Sequence, residues 1–375
     1  MIKQFEQKKI EQMIKDMLLK SGINDVYTGQ AVAEHLTGVE CSEDRLKITL
    51  CLNYPCQSRH VELTGEIKNA LQAQAQLFEL SGDLLNTVTV VIEQRVQAQR
   101  IQQNLKRING VKNIIAIASG KGGVGKSTTA LNLALALQAE GARVGILDAD
   151  IYGPSQPHLL GADTHPESKD KKSIEPVERF GLQTMSIGYL LEDQAVIWRA
   201  PMATGALLQL LQDTRWKDLD YLLLDLPPGT GDIQLTMSQK IPVSAAMIMI
   251  TTPQDIALLD VRRGVHMFNK VNIPVLGIIE NMSTHICRQC GHEEAIFGTG
   301  GGQHLADEFD TELLGQLPLD LAIRQGADTG ESILLAEPGG EISQHYYEIA
   351  RRFAAKLSLQ AKDFSHHFSN IIVES

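Results

Sequence analysis

The chain has 375 residues, 43% of them hydrophobic and 21% charged, the balance of an ordinary globular protein with room for two domains. Its formal net charge of −11 argues against broad binding to nucleic acid or to an anionic membrane, and no apolar run approaches the length of a membrane span. The opening MIKQFEQKKIEQMIKDMLLK mixes charges throughout and holds no signal-peptide core, so the expected location is the cytoplasm, where the five cysteines would be reduced.

Residues 1–95 read as a small α/β domain. Ile10, Met13, Ile14, Met17 and Leu18 share one side of a predicted helix over 8–19. Residues 45–53 alternate, with Leu46, Ile48, Leu50 and Leu52 on one face and Lys47, Thr49, Cys51 and Asn53 on the other, as a half-buried strand does. A helix is predicted over 61–74 and a strand over 87–93. Cys51 falls within a strand and reads as structural, whereas Cys56, after Pro55 at a strand exit, reads as exposed and reactive. The Gln- and Arg-rich stretch that follows is expected to be a linker, residues 96–107.

From 108 to 375 strands alternate with helices, which predicts a doubly wound α/β domain on a mainly parallel sheet. Strands are expected at 114–118, 143–147, 183–187, 221–224, 245–250, 275–280 and 312–317. Most are continuous apolar runs, as expected for parallel strands covered on both faces. Helices are expected at 128–138, 203–211, 256–269 and 342–357, and the polar stretch 162–178 reads as a mobile loop.

The first of these strands runs into SGKGGVGKST at 119–128. Gly120, four residues, then Gly125, Lys126 and Ser127 complete a phosphate-loop pattern between a strand and a helix. The loop Gly120, Lys121, Gly122, Gly123, Val124 and Gly125, with Lys126, Ser127 and Thr128 opening the helix, would cradle nucleotide phosphates on backbone N–H groups. Lys126 can reach the β- and γ-phosphates, and the Ser127 hydroxyl can hold Mg²⁺. Lys121 is more than such a loop needs. It is suited to point across a two-fold axis into a partner's nucleotide, which suggests a homodimer.

Ligands of such sheets sit at the carboxyl ends of the strands. One strand ends at Asp148, followed by Asp150, and another at Asp225, followed by LPPGTGD. Asp225 occupies the Walker B position, where a carboxylate orients Mg²⁺. Asp150 suits the positioning of attacking water, and Asp148 could support the metal shell. Gly229 and Gly231 give the loop after Asp225 the freedom to sense a γ-phosphate.

The strand at 275–280 is followed by NMSTHICRQCGH, in which Cys287 and Cys290 form a CxxC. Such a loop presents two thiolates to one metal centre. Zinc or an iron–sulfur cluster normally takes four protein ligands, and a two-fold dimer is an economical way to supply them. His285 and His292 flank the pair and keep zinc open.

Six motifs in order, SGKGGVGKS, DADIYGPS, WRAPM at 198–202, DLPPGTGD, ENMS at 280–283 and CRQC, give the chain from 108 to about 358 a clear likeness. It resembles the Mrp/ApbC-type iron–sulfur cluster carriers. These are deviant-Walker-A P-loop ATPases related to MinD, ParA and the nitrogenase iron protein. The resemblance implies ATP binding at 122–128 with slow hydrolysis, Lys121 acting across a homodimer, and Asp150 and Asp225 serving hydrolysis and metal positioning. It also implies that Asn281 recognises adenine. Cys287 and Cys290 would bridge a 4Fe–4S cluster between subunits, for delivery to recipient apoproteins in concert with iron–sulfur assembly factors. Neither nucleic acid nor membrane is an expected partner. The first domain resembles the small domain that precedes many Mrp-type ATPases and is related to cytosolic iron–sulfur assembly factors. Tyr54, Pro55, Cys56 and the helix after them fit, whereas GINDVY at 22–27 stands where that family has Asp-Pro-Glu. Two other functions compete: a MinD/ParA-like positioning ATPase, disfavoured by the acidic charge, and a zinc-binding ATP-dependent switch, which metal content would distinguish.

Overall fold

The computed structural model describes residues 2–42, 45–75, 87–102, 105–191, 198–229, 231–243, 247–287 and 289–360. Contacts divide the chain into one unit of Met1–Val96 with Ala354–Leu359 and another of Gln97–Phe353 with Gln360–Ser375. No helix among the described residues is long and apolar enough to cross a membrane.

In the first unit the alternation at 46–52 becomes a strand. The elements are α1 (Ile2–Ser21), β1 (Leu36–Cys41), β2 (Leu46–Leu52), α2 (His60–Gln74) and β3 (Thr89–Gln94). The sheet order is β1-β2-β3, with β1 antiparallel and β3 parallel to β2. Leu46, Ile48, Leu50 and Leu52 are buried, and Ile14, Met17 and Leu18 of α1 with Leu63, Ile67 and Leu71 of α2 complete this core. Those helical residues repeat at three to four positions, so one stripe of each helix is apolar. Asp25, inside the GINDVY stretch, is buried and accepts the Tyr54 hydroxyl at 2.8 Å, the Tyr27 N–H at 3.1 Å and the Thr28 hydroxyl at 3.0 Å. Cys56 corrects an expectation: it is 1% exposed, because a short turn at Gln57–Arg59 carries the chain directly into α2 and encloses the thiol. Cys51 lies in β2, half-buried.

The second unit contains β4 (Val111–Ser119), α3 (Lys126–Ala139), β5 (Val144–Asp148), α4 (Gln156–Leu159), β6 (Val177–Arg179), β7 (Leu182–Ser186), α5 (Ala200–Asp213) and β8 (Leu219–Asp225). It continues with α6 (Asp232–Lys240), β9 (Met247–Thr251), α7 (Asp255–Lys270), β10 (Val275–Asn281), β11 (His285–Ile286), β12 (Glu293–Glu294), α8 (Gly301–Glu308), β13 (Leu313–Leu317), α9 (Leu321–Thr329), α10 (Ile333–Ala336) and α11 (Glu341–Ser358), whose residues from Ala354 on belong to the first unit. Eight strands form one doubly wound sheet in the order β13-β10-β9-β4-β8-β5-β7-β6. All neighbours are parallel except β6, which runs antiparallel to β7. Residues 245 and 246 of the strand expected at 245–250 lie outside the described residues.

The apolar strands are buried along their length because helices cover both faces; every residue of β8 and β9 is buried. Helix α3 is sandwiched deeply enough that Leu131, Leu133, Leu135 and Leu137 are all buried along with Ala130, Ala134 and Ala136. Each such leucine contributes roughly 1.5–3 kcal/mol of burial. From β4 the chain passes to β5, leaving room for β8 between them, and later returns to β9 on the other side of β4. That reversal opens a crevice at the carboxyl end of β4.

Two connecting segments are more fixed than composition suggests. Gln97, Gln99 and Arg107 are tied to β4: the Gln99 N–H donates to Asn113 Oδ1 at 2.9 Å, Asn113 Nδ2 donates to the Gln97 carbonyl at 2.9 Å, and Arg107 Nη1 donates to the Lys112 carbonyl at 2.7 Å. The loop expected to be mobile at 162–178 is pinned where the Ile174 N–H donates to Asp213 O and the Arg215 N–H donates to Ile174 O, both at 2.9 Å. It then runs into β6.

Candidate functional site

The phosphate loop joins β4 to α3 in the crevice at the head of the sheet. Gly120 is required by close packing, since a Cβ there would lie 2.5 Å from the Asp260 backbone of α7. Gly125 caps α3 at φ +78°, and a Cβ there would meet Asn281 Nδ2 at 2.4 Å. Asn281, at the end of β10, donates from Nδ2 to the Val124 carbonyl at 2.9 Å, so the end of β10 is tied to the loop.

Lys126 is 6% exposed, and its ammonium pairs with the fully buried Asp225 and donates to Ser127 Oγ at 3.2 Å. The second Asp225 oxygen accepts from Gln156 Nε2 at 2.9 Å, which also donates to the Ser127 carbonyl at 3.1 Å. The structure thus brings Lys126, Ser127 and Asp225 together, as their motifs require, and adds Gln156, which no motif had marked. The Lys126–Asp225 pair places a cation and a carboxylate at the mouth of the phosphate loop. Phosphate oxygens can replace Asp225 at Lys126, and a divalent cation can replace Lys126 at Asp225.

Asp148 turns out to be a loop anchor. It is fully buried and accepts the N–H groups of Asp150, Ser155 and Gln156 at 3.1, 2.9 and 3.0 Å and the Ser186 hydroxyl at 3.2 Å. These bonds shape the loop that delivers Gln156. Burial, helped by the Asp225 carboxylate, pushes the Asp148 carboxyl up to about 7. Folding therefore takes up a proton between the ordinary carboxylate range and about pH 7, and the stability it contributes is lost as pH rises through that window. The urea midpoint of the nucleotide-free chain should fall between pH 5 and pH 8, and Asp148→Asn should flatten the fall; equal slopes for both proteins would remove Asp148 as the cause. Asp150 is half-buried just past β5, accepts the Gly153 N–H at 3.3 Å, and has its carboxyl pushed up by burial.

The loop after Asp225 is clasped rather than loose. Gly229 N–H donates to Ser119 O at 2.9 Å, and Gln234 Nε2 donates to the Pro227 and Pro228 carbonyls at 3.0 and 2.7 Å. The Gly231 N–H donates to Gln234 Oε1 at 2.9 Å. Lys121 sits half-buried at the start of the phosphate loop, its carbonyl accepting Ser119 Oγ at 3.0 Å. In the WRAPM motif, Trp198 packs against the sheet core and Met202 is exposed.

Beside Gly125 and Thr128 lies a cavity of about 260 Å³ walled by Asn281, Met282, Pro318, Leu319, Asp320, Ile323, Arg324 and Tyr346. Asn281 commits one amide hydrogen to the Val124 carbonyl, and its second N–H and its carbonyl oxygen are a donor and an acceptor at the cavity wall. The Pro318–Leu319–Asp320 wall went unread in the sequence, although it follows β13 directly and the strand-end rule could have flagged it.

Cys287 and Cys290 stand apart from this cluster, on a hairpin of β11 and β12. Cys287 N–H donates to His292 O at 2.9 Å, and Gly291 N–H donates to Cys287 O at 2.8 Å. The backbone N–H groups of Cys290 and Gln289 hold the Cys287 thiol below its ordinary range, favouring thiolate. Cys287 is half-buried and Cys290 exposed. His285 is turned aside, its Nδ1–H donating to the Leu319 carbonyl at 3.0 Å, and His292 is exposed. Among the described residues no group of three or more His, Cys, Asp or Glu side chains could hold a metal ion. One chain offers two thiolates and leaves the remaining positions of a centre open.

Residues 110–354, well over half of the chain, match the family model for the NUBPL iron-transfer P-loop NTPase. An iron–sulfur cluster carrier protein from Escherichia coli K12 is 50% identical over 322 residues, covering 85% of each chain. The mouse iron–sulfur cluster transfer protein NUBPL is 46% identical over 255 residues, 67% of this chain and 80% of that one. Among solved structures, a nucleotide-binding protein from Archaeoglobus fulgidus in complex with ADP is 35% identical with a TM-score of 0.55, covering 64% of this chain and 94% of that one.

Proposed function

This chain belongs to the NUBPL iron-transfer P-loop NTPase family, and from that premise we propose that it is an ATP-binding iron–sulfur cluster carrier that delivers its cluster to recipient apoproteins. The observation that carries this reading is one short segment. It starts at Asn281 in the wall of the base pocket and reaches a preformed pair of thiols at Cys287 and Cys290. A nucleotide site and a cargo site therefore share one strand end.

The nucleotide half of the proposal is hydrolysis of ATP. Lys126 and the loop N–H groups bind the phosphates, Asn281 orients adenine, and Asp150 positions water at the γ-phosphate. Ser127 and Asp225 are the residues that would hold Mg²⁺, and their adjacency to Lys126 fits them for it. Bound there, Mg²⁺ supplies neutralisation of charge on the β- and γ-phosphates. Lys121 would reach a nucleotide across a homodimer. The Archaeoglobus relative, with its ADP, supports nucleotide binding by this fold.

The cargo half is a 4Fe–4S cluster held by Cys287 and Cys290 of two copies. Two ligands per chain leave few bonds to break on handover. A carrier of this kind works in the cytoplasm with iron–sulfur assembly factors, and residues 1–95 form its accessory domain, joined through 96–107.

Anaerobic reconstitution with ferrous iron and sulfide, followed by incubation with an apo-ferredoxin, tests the proposal. The expected result is about one cluster per two chains and its appearance in the acceptor. Zinc without cluster, or no metal at all, would overturn it in favour of a nucleotide switch.

A further inference from the structure

The strip that leads from the base pocket to the thiols is sewn to the opposite pocket wall. The Ser283 N–H and Oγ–H both donate to Leu317 O at 3.0 Å. The Leu319 N–H donates to Thr284 O at 2.7 Å, and His285 Nδ1–H donates to Leu319 O at 3.0 Å. Leu319 is thus gripped through both of its backbone polar groups while it lines the cavity. Met282, also in that lining, holds φ at +57°, a conformation that a side chain like methionine rarely adopts. Such outliers persist where surrounding structure over-determines them. The His285–Leu319 bond joins the root of the hairpin to the Pro318–Leu319–Asp320 wall.

We infer that His285 is a positioning residue that reports occupancy of the base pocket to the thiol hairpin. The inference rests on reading Cys287 and Cys290 as the cargo ligands. A base packed against Leu319 restrains the Pro318–Leu319–Asp320 wall. The Leu319 carbonyl is then fixed, and the imidazole bonded to it fixes the root of the hairpin two residues before Cys287. An empty pocket leaves that wall free to shift, and the hairpin is released with it. Coupling requires this element to have two arrangements, bond made and bond broken, with both sites biasing it. Coupling of this kind is reciprocal, so a loaded thiol pair must tighten the nucleotide by the factor with which nucleotide steadies the hairpin.

The test is hydrogen exchange on the full-length, reduced, cluster-free protein with and without saturating Mg·ADP, read at the Cys287 and Gly291 amides. Both amides are bonded within the hairpin. In wild type, nucleotide should slow their exchange about fivefold or more. His285→Ala should abolish this response while changing ADP affinity by no more than the same factor. His285→Asn, which keeps an N–H donor at nearly the same reach, should restore it. An alanine variant with the full wild-type response overturns the inference, as does a wild-type hairpin indifferent to bound nucleotide. If the alanine variant fails to fold, His285→Phe, which keeps a ring without the N–H donor, takes its place and should lose the response in the same way. Because the protein carries no cluster in this experiment, failure of cluster reconstitution would sink the carrier reading and leave this result standing.

Discussion

Lys126→Ala is expected to weaken ATP binding by roughly a hundredfold or more while leaving cluster uptake at the wild-type level. Hydrogen bonds to charged groups are worth about 1.5–3 kcal/mol each, and this ammonium serves several phosphate oxygens at once. Lys126 is also half of a buried pair with Asp225, so truncation strands a carboxylate out of water. That costs about 3–5 kcal/mol, and the single variant should unfold at lower urea. The double variant Lys126→Ala/Asp225→Asn removes the stranded charge. It should recover most of the stability and none of the ATP affinity. Titration calorimetry, urea unfolding and iron counts on the three proteins separate the effects. Equal loss of ATP binding and cluster uptake in a folded variant would show that the two sites are not separable.

Replacing either Cys287 or Cys290 by alanine should abolish cluster retention and leave ATP affinity unchanged. With two thiolates per chain there is no spare ligand, and among the described residues no further His, Cys, Asp or Glu groups with the pair into a metal site. The two positions differ in kind. Cys287 is the thiol whose charge the hairpin N–H groups favour, and Cys290 is the exposed one. Iron and sulfide per chain after anaerobic reconstitution and desalting measure the effect. A full cluster on either variant would place the cargo elsewhere.

The residues that the structure gathers at the head of the sheet were legible in the sequence because they are contiguous or end an apolar strand. The phosphate loop, Asp225 and Asn281 all fall under one rule about parallel sheets. Gln156 and Gln234 escaped, since their roles are single side-chain bonds to residues brought near only by folding, such as Asp225, 69 positions from Gln156. β1 escaped because Gly38 and a register shift beside it break the alternation. β6, three residues long, is too short to show a period. Cys56 was misread for a different reason: a proline before a cysteine marks a turn, and nothing local says which side of the turn is inside.

The buried pair of Lys126 with Asp225 has a further consequence. An anion arriving alone must strip the lysine from its carboxylate and leave a buried negative charge behind, and a metal ion arriving alone leaves a buried positive one. Free phosphate and free magnesium are each expected to bind weakly there on that account. A ligand that brings both signs of charge together meets no such penalty. The buried pair is therefore expected to act as a coincidence gate that favours a metal–nucleotide complex over either small ion alone, and titration with phosphate, Mg²⁺ and Mg·ATP in turn checks it.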